Sequence, residues 1–179
     1  MSRRVTLAAA LAAFASVVGF GAAPAVAAPS TVDTPITFAI SAGGLTITAP
    51  TTTVNLGSGV SGGTVSGTIG PVQVNDARGL LVAAWTATVS STAFHTGGGT
   101  PSETIGSDKA TYTPGVFTIV TGLPVPLPGL PGTLASPRTA YTATAAGVNA
   151  VSWNPTLSIA LPAAAVAGTY SGTVTHSVA

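Results

Sequence analysis

The sequence predicts an all-β fold, a single antiparallel β-sandwich of Ig-like or jelly-roll-like type preceded by a cleaved signal peptide. Three observations carry this prediction. Segments of four to ten residues rich in Val, Ile, Thr and aromatics recur along the chain with apolar and polar residues alternating. Glycine and proline, 22 and 14 of 179 residues, punctuate these segments as turn formers. Helical periodicity is nearly absent between them, so the strands must pair as antiparallel neighbours and not through helical crossovers. Their unequal lengths favour a sandwich over a closed barrel.

The first element is not part of that fold. Arg3 and Arg4 begin a positive stretch, Val5 to Phe20 is apolar, and Ala25-Val26-Ala27 is a small-x-small cleavage site. Residues 1–27 therefore read as an export signal by the Sec or twin-arginine route, and 28–179 as one extracellular domain with no transmembrane segment. Ile36, Phe38 and Ile40 alternate with Thr37, Ala39 and Ser41, which predicts a strand. After the turn Ala42-Gly43-Gly44, Leu45 and Ile47 continue the pattern. Val65 and Ile69, then Val72 and Val74, follow around Gly70-Pro71. LLVAAWTATVSS (80–91), ATYT (110–113), VFTIV (116–120), YTATA (141–145), SWNPTLSIAL (152–161) and the closing AGTYSGTVTHSVA complete nine or ten predicted strands. In the last of these Tyr170, Val174, His176 and Val178 share the face predicted to be buried. The proline-rich TGLPVPLPGLPGTLASP (121–137) cannot donate to a central ladder and reads as a crossover or edge cover, or as an assembly segment. Residues 163–168, AAAVAG, are bracketed by Pro162 and Gly168 as a connection.

Charge narrows the function classes. Without Arg3 and Arg4 the domain holds Asp33, Asp76, Glu103 and Asp108 against Arg78, Lys109 and Arg138, a net charge of −1 where the whole chain has +1. No basic patch exists to neutralise phosphates, which excludes nucleic acid as a partner. Threonine and serine supply the polar surface instead, as suits a protein on or within a polymer layer. The chain has no cysteine, which removes disulfides, thiolate metal sites and a cysteine nucleophile.

The residues that could carry chemistry are few and scattered. His95 lies in the Gly-rich FHTGGGTPSE and His176 in the last strand. No serine occupies a G-x-S-x-G elbow, and an all-β chain lacks the strand-turn-helix that elbow needs. The carboxylates are isolated and form no calcium loop, though Glu103 and Asp108 bracket a turn and could share a surface cation. Asp76-Ala77-Arg78-Gly79 matches a type I turn in which Arg78 pairs locally with little energy. No catalytic, cofactor-binding or metal-binding residue is assigned, and no cofactor is expected. Trp85 and Trp153 are either large core side chains or surface rings that stack on a sugar.

FAISAGGLTITAP, VSGTIGPVQVNDARG, AAWTATVSSTAF, ATYTPG and WNPTLSIALPAAAVAGTYSGTVTHSVA together resemble the WxL-like secreted proteins of Gram-positive bacteria, in particular an uncharacterised actinobacterial branch. The resemblance implies an all-β module associating non-covalently with peptidoglycan through two tryptophan motifs. Trp85 matches the first motif but is followed by Thr86-Ala87, without the leucine, and His176 stands where the second tryptophan would be. The function expected is a non-enzymatic, exported cell-surface module. Its partner would be peptidoglycan or another surface protein, with Trp85, Trp153 and His176 as candidate contacts, the tryptophans only if exposed. A self-assembling surface, pilus or coat-type subunit is the first alternative and a secreted hydrolase the second.

Overall fold

The structure, a computed structural model, describes residues 34–179. The chain divides into two units, Met1–Phe38 and Ala39–Ala179. The predicted signal at 1–27 lies outside the described residues, and residues 34–38 of the first unit form neither helix nor strand. Among the described residues no helix is long and apolar enough to cross a membrane.

The second unit is all β. Its strands are β1 (Leu45–Thr48), β2 (Thr64–Thr68), β3 (Val72–Asp76), β4 (Ala83–Ser91), β5 (Phe94–His95), β6 (Thr104–Ile105) and β7 (Ala110–Thr113). There follow β8 (Phe117–Thr121), β9 (Val125–Pro128), β10 (Gly132–Thr133), β11 (Arg138–Ala145), β12 (Asn149–Trp153), β13 (Thr156–Ala160) and β14 (Val174–Val178). Every pairing is antiparallel, in sheets ordered β1-β3-β12-β8, β10-β7-β13-β2 and β14-β4-β11-β9, with β5-β6 as a small hairpin.

The first two sheets are halves of one layer. The central strand runs through β12 into β13, flanked on one side by β2 and β3 and on the other by β7 and β8. At the break, Asn154 and Pro155 face three residues on each side, Ile69-Gly70-Pro71 and Pro114-Gly115-Val116. Three prolines thus sit at one level, where none can donate to a ladder, and the extra residue on each flank makes a bulge. Gly115 takes φ +78°, and a Cβ there would run into the Asn154 carbonyl oxygen. This break makes SWNPTLSIAL two strands where one was expected, and the short β5, β6, β9 and β10 are the other strands beyond those predicted.

The third sheet lies against this layer. On β4 Ala83, Trp85, Ala87 and Val89 are buried while the alternate residues face outward. From the opposite layer Val72, Val74, Val151, Trp153, Tyr112, Leu157 and Ile159 fill the same core. On β14 Val174, His176 and Val178 are half-buried and Thr175 and Ser177 exposed, the alternation the sequence predicts.

Three expectations need correction. Ile36, Phe38 and Ile40 form no strand and are almost fully exposed, because no neighbouring strand lies beside them among the described residues. Leu80, Leu81 and Val82 belong to the loop before β4, where Leu81 is 87 % exposed. The proline-rich segment supplies an edge strand, β9, which pairs only with β11. Gly129 donates its N–H to the Ala140 carbonyl. Odd positions therefore bond inward, and Pro126 and Pro128 present an outer rim without N–H groups.

Candidate functional site

The tryptophans face the interior. Trp85 is 3 % and Trp153 2 % exposed, so the condition attached to a sugar-stacking role is not met by either ring. The Trp85 indole N–H ties the two layers together directly, and that of Trp153 bonds within its own layer to Tyr112, whose hydroxyl reaches the other layer. Trp85 on β4 donates to Asn149 Oδ1 at 3.1 Å, and Asn149, wholly buried, opens β12 in the opposite layer. Its amide in turn donates to the Gly147 carbonyl. A buried indole N–H without such an acceptor would be costly.

Beside this link lies a half-buried ion pair. Asp76, opposite Asn149 in the ladder, has no exposed surface. Its Oδ1 accepts from Arg78 Nε at 2.9 Å and its Oδ2 from Arg78 Nη2 at 2.8 Å, while Nη2 also donates to the Ala84 carbonyl of β4. The Arg78 guanidinium holds the Asp76 carboxyl below the ordinary carboxylate range. The expected surface turn with a weak local pair is instead a second tie between the layers, because Asp76 falls on the inward phase of β3 (burial alternates along Val72–Asp76).

His176 completes a third link. Trp153 Nε1 donates to the Tyr112 hydroxyl at 3.0 Å, and that hydroxyl lies 3.1 Å from His176 Nε2. A phenol has one proton to give. The arrangement that gives the phenol proton an acceptor among these groups has the Tyr112 O–H donating to Nε2, with the imidazole neutral and its proton on Nδ1. Burial pushes the His176 pKa down to about 4 and raises that of Tyr112. The Tyr112 and His176 rings are 5.6 Å apart, and Tyr141 packs on Trp153 at 4.8 Å. His176 also borders a groove of about 300 Å³ beneath residues 49–54, with Ile69 and Phe94 on its walls.

The remaining polar groups are engaged separately. His95 Nδ1 meets the Thr104 hydroxyl at 3.1 Å, and Glu103 accepts the Thr100 N–H in a capping box. Asp108 pairs with Lys109 on the surface. Among the described residues no three His, Asp or Glu side chains gather as metal ligands. Trp85 and Trp153 are placed in two different cross-layer links, with His176 in that of Trp153. Sequence reasoning missed their partners Tyr112 and Asn149; the one available signal was their inward phase on ATYT and NAVSW.

Two outward-facing features remain. A shallow groove of about 630 Å³ runs over the third sheet, floored by Thr86, Thr142 and Thr144 and bordered by Val125 and Leu127. The second is β8, an edge strand whose five residues are all exposed. No protein-family model matches the chain, and no curated protein or solved structure shows significant similarity to it.

Proposed function

We propose that this protein is a non-enzymatic, exported cell-surface module that works as a self-associating structural subunit. The observation that carries the reading is the edge β8. Natural sheets guard their edges with proline, charge, bulges or a covering element. Here β9 is guarded by Pro126 and Pro128, whereas β8 reads Phe117-Thr118-Ile119-Val120-Thr121, without proline or charge. Its one irregularity is a register shift opposite Val120. With Val116 it forms a β-prone, uncharged run of the kind that pairs with other chains. The engagement of both histidines with Thr104 and Tyr112, and not with a carboxylate, supports a non-catalytic role.

A second reading keeps the WxL-like resemblance, in which the module associates non-covalently with peptidoglycan. The groove over the third sheet favours it, since threonine hydroxyls beside aliphatic side chains suit a glycan. Trp85 lines that groove between Ala84 and Thr86 with almost no exposed surface, and Trp153 and His176 lie outside it. One preparation tests both readings. Concentration-dependent mass growth in light scattering without added polymer supports self-association, and salt-resistant pelleting with purified sacculi supports wall binding. A protein that stays monomeric refutes the first; one that stays in the supernatant refutes the second.

A further inference from the structure

The strand pattern without a partner and the strand edge without proline or charge belong together. Ile36, Phe38 and Ile40 are 83, 86 and 87 % exposed, yet they alternate with Thr37, Ala39 and Ser41 as a half-buried strand does. Such a segment has a side for a core and, among the described residues, no core to meet. We propose that residues 35–41 of one copy add as a strand to the outer edge of β8 in the next copy. This rests on the self-association reading and names both halves of the contact.

The geometry requires a second molecule. Gly43 donates its N–H to the Ala77 carbonyl, and the Gly44 carbonyl accepts from the Ala77 N–H, which pins the chain beside β1. β1 and β8 are the opposite edges of one four-stranded sheet. The slot outside β8 therefore lies four spacings from β1, about 19 Å at ~4.8 Å each. Ser41 and Ala42 alone separate Ile40 from Gly43, and three residue steps span at most about 11 Å. A copy cannot fill its own slot. Because donor and acceptor are different surfaces, the contact is head-to-tail and links successive copies into a ring or an open chain of subunits.

Main-chain hydrogen bonds to the free rim of β8 hold the added strand whatever its side chains. Specificity comes from the apolar triad, which covers the exposed Phe117, Ile119 and Val120. The neighbouring β9 rim cannot accept the strand equally, because its prolines offer no donors.

The test uses the purified protein and two variants altered only at exposed positions. The donor variant is Ile36→Asp with Phe38→Asp; the acceptor variant is Ile119→Lys with Val120→Lys. Unchanged thermal melts establish that both fold. Size-exclusion light scattering is expected to give oligomers for the unaltered protein and monomers for each variant. An equimolar mixture of the variants should give dimers and nothing larger, since one intact donor and one intact acceptor remain. A labelled peptide of residues 34–42 should bind the donor variant in fluorescence anisotropy and bind the acceptor variant at least tenfold more weakly. Oligomers of the donor variant like those of the unaltered protein would overturn the donor assignment while leaving self-association standing. An unaltered protein that is monomeric, with no peptide binding, would overturn both.

Discussion

His176 makes the domain sensitive to mild acid, and the size of the effect follows from its surroundings. In the unfolded chain the imidazole titrates near its ordinary value of 6.5, and in the folded protein near 4. Between those values the unfolded chain binds a proton that the folded one refuses, so stability falls as pH falls. The contribution is complete above about pH 6.5 and lost by about pH 4. A fully shielded group would lose about 3 kcal/mol over that interval. The ring is only partly buried, and solvent screening reduces the expected loss to about 2 kcal/mol. The physical cause is burial of the ring, which penalises the charged imidazolium; a protonated Nε2 would in addition point a second donor at the phenol oxygen that already serves the Trp153 indole. Thermal unfolding at pH 7 and pH 4 is the assay, with His176→Gln as the comparison, since an amide keeps an acceptor for Tyr112 and does not titrate. The unaltered protein should lose about 4–8 °C more in Tm than the variant, at ~2–4 °C per kcal/mol for a domain of this size. Parallel losses in the two proteins, or an NMR titration placing folded His176 near 6.5, would refute the reasoning.

Other substitutions probe the remaining links. Trp85→Ala should cost about 3–5 kcal/mol, as buried tryptophan truncations do; urea unfolding checks this, and unaltered stability would mean that the ring is not in the core. Asp76→Asn should lower Tm at pH 7. Because the folded carboxyl lies below its ordinary value of 3.8, that difference should persist above about pH 4 and shrink as acid protonates the native aspartate, which melts at pH 7 and 3 will show. Two glycines with positive φ should separate conformational strain from steric overlap. Gly147→Ala, at φ +70° with open space around it, should cost about 1 kcal/mol. Gly115→Ala should cost more, because its new Cβ meets the Asn154 carbonyl, and equal denaturation midpoints would contradict that account.

Several elements were legible from local pattern alone. Alternation on β4 and β14 identified the inward residues, including Trp85 and His176, because period two is a property of the strand and not of its neighbours. Proline at 126 and 128 excluded an inner ladder, since a residue without N–H cannot serve one, although the edge strand they form reads locally as a connection or cover. Other features were hidden by the same locality. The pattern at Ile36, Phe38 and Ile40 is a sound strand signal, but whether a strand forms depends on a partner. Leu80-Leu81-Val82 is apolar enough to extend β4, yet the chain has already left the sheet there. Asp76 looked like a turn residue because Gly79 follows it, and its burial against Arg78 appeared only once β4 was seen to pass overhead.

The sequence by itself determined the all-β class, the positions of most strands and the phase of each inward face. Those follow from side-chain period and from what glycine and proline permit in the backbone. Tertiary structure alone decided which strands are neighbours, that three prolines fall at one level and divide a layer, and that Trp85 reaches Asn149, and Tyr112 reaches His176, across the core. It also decided that β8 is left bare while β9 is not. Pairing and polar contact join residues tens of positions apart, and no local pattern records who the distant partner is.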